Sequence, residues 1–163
     1  YGEAEKLCSG LADITDGKTE GENYFQTRKR YTRNFKKAIL ICMHFATKNF
    51  GKGLINEQEV LNNIAEMMME TYVSESLSLR VEKLSAIRSD ISVYKDILDV
   101  NLFETACKVR SSALEAIASF SSPETYSVLV QAIEKLTREE FINVKEARRR
   151  IAYKLIADGS YKF

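Results

Sequence analysis

The chain is 163 residues long, enough for one domain that closes a core around its 45% hydrophobic side chains. Its 24 basic and 23 acidic residues nearly cancel, which excludes a polyelectrolyte drawn as a whole to nucleic acid. The longest nearly apolar run, Ala38 to Ala46, is interrupted by His44 and falls far short of the ~20 residues a membrane helix requires.

Pro123 is the only proline and helix formers are abundant, so the class is all-α. Cys8, Cys42 and Cys107 are odd in number, far apart and never in a C-x-x-C pair. That usage implies neither a disulfide framework nor structural zinc, and fits a reducing cytoplasm. Tyr1 stands without a preceding Met or a basic-then-apolar leader, and the chain reads as a piece of a longer polypeptide.

Residues 1–21 hold Gly2, Gly10, Gly17 and Gly21 and read as a linker or lead-in, with a short helix over Glu3 to Leu11. Residues 22–163 read as a helical bundle. Its first helix spans about 22–50, with Phe35, Ile39, Cys42, Phe45 or Ala46 and Phe50 at helical spacing, and is central because Ala38 to Ala46 is apolar nearly all round. Gly51-Lys52-Gly53 stops it. Asn56 with Glu59 has the form of a capping box opening a helix over 57–87, whose inner face is expected along Leu61, Ala65, Met68, Tyr72, Ser76 and Leu79. Val73, Leu77, Val81 and Leu84 widen that stripe.

Tyr94, Leu98, Leu102, Ala106, Val109, Ala113, Ile117 and Phe120 recur at i+3 or i+4 and predict a third long helix over 93–120. Ser122-Pro123 opens a shorter one over 123–136 through Tyr126, Leu129 or Val130, Ile133 and Leu136. Asn143 with Glu146 caps the last, 144–157, through Val144, Ala147, Ile151 and Leu155 to Gly159. Three long and two shorter helices with short connections predict an up-and-down bundle.

Residues that could carry chemistry are few. His44 lies in the most apolar stretch with no carboxylate or nucleophile at i±3 or i±4, so it reads as structural. One histidine and no Glu-x-x-His argue against a di-iron site, leaving Glu66, Glu70 and Glu75 as the polar edge of the second helix. Met67-Met68-Met69 point about 100° apart on a helix and cannot form one ligand set, so one or two of them belong to the core. Gly51-Lys52-Gly53 lacks the spacing of a phosphate-binding loop. Catalytic, cofactor-binding and metal-ligating residues are accordingly each expected to be none.

Two basic clusters remain: Arg28-Lys29-Arg30 with Arg33, Lys36 and Lys37, interleaved by Tyr24, Phe25, Tyr31 and Phe35, and Arg148-Arg149-Arg150. The first could bind RNA or an anionic membrane surface, but such faces are more often solvated or paired within the fold. A short turn at Gly51-Lys52-Gly53 makes its flanking helices antiparallel and brings Arg33, Lys36 and Lys37 level with Glu70 and Glu75.

Tyr72-Val73-Ser74-Glu75-Ser76-Leu77-Ser78-Leu79-Arg80-Val81-Glu82-Lys83-Leu84 resembles a segment near the C-terminus of bacterial acyl-CoA dehydrogenases. Asn34-Phe35-Lys36-Lys37-Ala38-Ile39-Leu40, Glu57-Gln58-Glu59-Val60-Leu61 with Asn63-Ile64-Ala65, and Asn143-Val144-Lys145-Glu146-Ala147-Arg148-Arg149-Arg150-Ile151-Ala152 agree in the same order. The resemblance covers residues 25–163 and includes the similar very-long-chain type. It implies a helical domain following a catalytic unit that holds FAD, takes the substrate α-proton on a glutamate and passes the β-hydride to flavin in fatty-acid β-oxidation. None of that unit's motifs is present here, including its Glu-Gly-Thr segment. The resemblance therefore implies a structural or docking role, with the catalytic body of its own chain and a homo-oligomer as partners; the cysteine usage adds the expectation of a cytoplasmic protein, and the charge balance that of no nucleic acid. The alternative is a membrane-surface or protein-interaction module using residues 24–37.

Overall fold

A computed structural model describes residues 2–160. In order these form α1 (Gly2–Ser9), a 3₁₀ turn (Leu11–Asp13), α2 (Tyr24–Phe50), a second 3₁₀ segment (Gly51–Asn56), α3 (Gln58–Ser85), α4 (Ser92–Ala118), α5 (Pro123–Leu136) and α6 (Val144–Asp158). No strand occurs among the described residues. The all-α reading holds, and each of the five expected helices of the bundle has its counterpart.

Local chemistry sets most of the helix ends. At the start of α2, Asn23 accepts from the Gln26 backbone amide while the Gln26 side chain accepts from the Asn23 amide, a complete capping box. Gly51, at φ 52°, closes α2 in a conformation that a Cβ would strain. Ser122 caps α5 by accepting from the Thr125 amide, with Pro123 in the first turn. Asn143 caps α6 through the Glu146 amide, and Gly159 ends it in the left-handed conformation. The expected Asn56–Glu59 box does not form: Asn56 is the last residue of a 3₁₀ segment, and Glu57 occupies the cap position with no side-chain hydrogen bond.

Helices α2 and α4 hold the middle of the bundle. The first packs against α1, α3, α4 and α5, the second against α2, α3, α5 and α6. On α4 the expected stripe is the buried one: Leu98, Leu102, Ala106, Val109, Ala113 and Ile117 all lie in the core. Burying each Leu, Val or Ile there contributes about 1.5–3 kcal/mol relative to an exposed position. The stripe's ends, Tyr94 and Phe120, are partly buried, and Phe120 meets Phe50 edge to face at 6.2 Å. On α2, Phe35, Ile39, Cys42 and Ala46 are buried as expected, whereas Leu40 and Met43 are exposed, so the helix is not enclosed on all sides. The lead-in lies against the bundle, with Ile14 in the core and Leu7, Cys8 and Leu11 packed on it.

Ion pairs record the helix directions. Lys29 meets Glu82 at 2.7 Å and Lys36 meets Glu75 at 2.6 Å. Moving seven residues along α2 is thus matched by seven back along α3, as antiparallel helices require. Likewise Glu66 accepts from Ser112 and Glu70 pairs with Lys108, a four-residue step in opposite directions on α3 and α4.

Candidate functional site

The second helix of the hairpin departs most from expectation. Its inner face carries Val60, Ile64, Met67, Thr71, Ser74, Ser78 and Val81, all buried. The stripe read as core, Leu61, Ala65, Met68, Tyr72, Ser76 and Leu79, is exposed, with Met68 at 50%, Leu79 at 54% and Tyr72 at 72%. Of the widening positions, Val81 is buried, Leu77 and Leu84 are half-buried, and Val73 is exposed. The cause lies on α4, which turns Asn101, Thr105, Lys108 and Ser112 toward α3. Ser74 Oγ donates to Asn101 Oδ1 at 2.8 Å and lies 2.7 Å from Thr105 Oγ1. Ser112 Oγ donates to Glu66 at 3.0 Å, and Lys108 Nζ to Glu70 at 2.6 Å. The Ser74 hydroxyl finds partners in this seam where a Leu would leave Asn101 and Thr105 without it, whereas the buried hydroxyls of Thr71 and Ser78 take none. Met67 alone of the three consecutive methionines is buried.

The basic stretch at the start of α2 is largely consumed within the fold. Arg28 binds Asp99 at 2.9 Å and stacks its guanidinium 3.8 Å from the Tyr24 ring centre. Burial, and then the Asp99 carboxylate that accepts from its hydroxyl at 2.8 Å, push the Tyr24 phenol well above its ordinary pKa. Lys29 and Lys36 bind Glu82 and Glu75. Arg30 is buried, donating through Nε to Glu22 at 2.8 Å with Asp16 3.5 Å away. The hydrogen bond from Arg30 holds the Glu22 carboxyl below its usual range. Asn34 Nδ2 donates to the Asp16 carbonyl at 2.7 Å, so the lead-in is tied to α2 through polar side chains as well as core contacts.

The expected pairing across the hairpin is thus met by Lys36 and Glu75 and not by the rest. Glu70 turns to Lys108, and Arg33 and Lys37 take no carboxylate within 4.0 Å among the described residues. The six-residue 3₁₀ segment Gly51–Asn56 lengthens what was read as a three-residue turn and shifts the register toward the C-terminus of α3. Each arginine of the other cluster is also engaged: Arg148 with Glu104, Arg149 with Glu146, and Arg150 with both oxygens of Asp96.

Nothing else assembles into a reactive constellation. His44 is half-buried with its ring edge to face against Phe45 at 5.4 Å. No group of three or more His, Cys, Asp or Glu could hold a metal ion among the described residues. Burial pushes the Cys42 thiol up to about 12 and also raises that of Cys8, so neither is a ready thiolate. Glu139 is raised by burial, which outweighs Arg110; that guanidinium stands 3.7 Å away and donates to Thr137 instead. A cleft of about 790 Å³ lies between the lead-in, α2 and α3. Its charged lining is Glu20, Glu22 and Glu75 against Lys29, Arg33 and Lys36, with no aromatic side chain on which a flavin ring could stack. These residues do not fit FAD.

What these helices define is an all-α domain with a partly paired polar seam and an exposed apolar helix face. The chain belongs to the family described as "Acyl-CoA dehydrogenase, C-terminal domain", whose model matches residues 34–135. It is 27% identical over 134 residues to a probable acyl-CoA dehydrogenase of Bacillus subtilis (strain 168), covering 81% of this chain and 23% of that protein. A solved acyl-CoA dehydrogenase of Bacillus anthracis complexed with FAD superposes with a TM-score of 0.89 at 27% identity, over 99% of this chain and 27% of that one. The chain therefore spans about a quarter of the length of these relatives.

The sequence reading missed the outward placement of Met68, Tyr72 and Leu79. A signal for it was present in Thr71, Ser74 and Ser78, which share one side of α3 at i+3 and i+4 with nothing to recommend them to an apolar core.

Proposed function

We propose that this chain is the C-terminal accessory domain of an FAD-dependent acyl-CoA dehydrogenase of fatty-acid β-oxidation. Its role is structural and docking, and it contributes no catalytic, cofactor-binding or metal-ligating residue. The observation that carries this reading is the match to a C-terminal dehydrogenase domain by a chain that covers only 27% of the FAD-complexed relative. Flavin and base belong, on this reading, to a catalytic unit elsewhere in the same polypeptide. The cleft between the lead-in, α2 and α3, whose lining has no aromatic side chain, supports that division.

Residues 1–21 serve as the lead-in from that unit, and residues 22–163 as the bundle. A homo-oligomeric full-length protein in the cytoplasm completes the reading and rests on the family resemblance. No helix among the described residues is long and apolar enough to cross a membrane. The test is direct: the 163-residue chain purified alone is expected to be colourless and inert toward acyl-CoA with an artificial electron acceptor. Stoichiometric FAD, or turnover by this chain alone, would overturn the assignment.

A further inference from the structure

The cleft between the lead-in, α2 and α3 brings together two polar side chains that the fold leaves without a protein partner. Arg33 is exposed on α2 and takes no carboxylate within 4.0 Å among the described residues, although Lys29 before it and Lys36 after it are both paired. Four residues on from Lys29 and four back from Glu82, the antiparallel register sets Arg33 level with Ser78 of α3, and both line the cleft. The Ser78 side chain is buried, and its hydroxyl makes no hydrogen bond. A serine within a helix can satisfy its hydroxyl on the carbonyl one turn back, and leaving a buried one unpaired is destabilising. On the lead-in wall, the backbone amides of Glu20, Gly21 and Glu22 also lack a protein acceptor among the described residues.

We propose that this cleft binds a small molecule through an oxyanion group, a carboxylate or a phosphate, with the Arg33 guanidinium as its ion-pair partner and the Ser78 hydroxyl as a further donor. The planar guanidinium offers two parallel N–H groups to two oxygens of such a group. The serine hydroxyl, by rotating between staggered positions about its one side-chain bond, adds a third hydrogen bond. Three carboxylates share the lining, but Glu22 is held by Arg30 and Glu75 by Lys36, so neither competes for Arg33. Glu20 is the remaining one, and it takes no cation within 4.0 Å among the described residues. It offsets Arg33 in overall charge without pairing with it, so recognition rests on directed hydrogen bonds rather than on a net positive field. The site is independent of flavin chemistry and of the dehydrogenase assignment.

The test reads Arg33 itself in the full-length protein. Phenylglyoxal adds covalently to exposed guanidinium groups, and peptide mass spectrometry follows the modification of each arginine. Arg80 is the internal control, being exposed, without a carboxylate within 4.0 Å among the described residues, and outside the cleft lining. At an ionic strength held constant with chloride, inorganic phosphate in one arm and acetate in another are the probes. At least one of them should slow modification of Arg33 severalfold and leave Arg80 unchanged, and which one does so identifies the group bound. In Ser78→Ala that protection should weaken severalfold, while Tm without added anion should rise because the unpaired hydroxyl is gone. Equal slowing of Arg33 and Arg80, slowing of neither, or protection undiminished in Ser78→Ala would overturn the proposal. So would an Arg33 that fails to react without anion, since the cleft would then be filled by the rest of the chain.

Discussion

Replacing Thr71 and Thr105 separately with valine makes the same change of shape at two buried helical positions, and the structure predicts opposite signs. Both threonines are buried, with 2% and 0% of their surface exposed, on the packed helices α3 and α4. Thr71 Oγ1 has no hydrogen-bond partner. Thr→Val there removes a desolvated hydroxyl without opening a cavity, and relieving an unpaired buried polar group of this kind is worth about 1–2 kcal/mol. Thr105 differs because Ser74 gives its single proton to Asn101 Oδ1, which makes Thr105 the donor in the 2.7 Å contact between the two hydroxyls. Valine at 105 strips Ser74 of that donor and costs about 0.5–1.5 kcal/mol. Val and Thr have similar helix propensities, so backbone preference cancels. The two variants should differ by about 2 kcal/mol, or roughly 4–8 °C in Tm for a domain of this size. Thermal and urea unfolding of the 163-residue chain measure it. If both variants move Tm in the same direction, the hydrogen-bond account of the seam is wrong.

Met67→Ala should destabilise the chain by about 2–5 kcal/mol, whereas Met68→Ala, one residue on and exposed, should stay within about 0.5 kcal/mol; urea midpoints distinguish them. The Lys36–Glu75 pair is half exposed, so Lys36→Ala should cost no more than ~1 kcal/mol, with the loss shrinking as salt is added. Glu139 has its pKa raised in the fold, so the folded state is favoured while the group is protonated and loses that advantage as pH rises through the folded pKa. Glu139→Gln should therefore gain stability over the wild type at neutral pH, and the gain should disappear at acid pH; a gain that grows on acidification would contradict the burial argument. For Glu22, lowered by Arg30, the sign reverses: its contribution is present above the ordinary carboxylate pKa and fades as pH falls, so Glu22→Gln should be destabilising at neutral pH and progressively less so in acid.

Periodicity found every long helix because α4 and most of α2 bury apolar residues at helical spacing against apolar neighbours. Capping chemistry marked Ser122, Asn143 and Gly159 correctly, since those signals are local. The same rule was available at Asn23 and Gln26, and it failed at Asn56 because a 3₁₀ segment, which no apolar pattern advertises, took that residue. The inner face of α3 was illegible for a different reason. Which side of a helix is inside depends on what the neighbouring helix presents, and here Asn101, Thr105 and Ser112 of α4 recruit hydroxyls and a carboxylate rather than methyl groups. The apolar stripe read as the inner face is the one the structure leaves exposed. Charge complementarity across the hairpin was visible in outline, since the first basic cluster is followed across the turn by a segment from Glu57 to Glu75 free of Lys and Arg. The register was not, because it depends on how many residues the connection between the helices takes up.

The central claim, that these helices are the C-terminal part of a flavin-dependent acyl-CoA dehydrogenase, is tested most directly on the full-length polypeptide from its native reading frame. Mixed anaerobically with a saturated acyl-CoA thioester, it should arrive carrying FAD and lose the absorption of the oxidised flavin as the substrate's α-proton and β-hydride are removed. A full-length protein that carries no flavin, or whose flavin remains oxidised across a series of acyl-CoA chain lengths, would contradict the account.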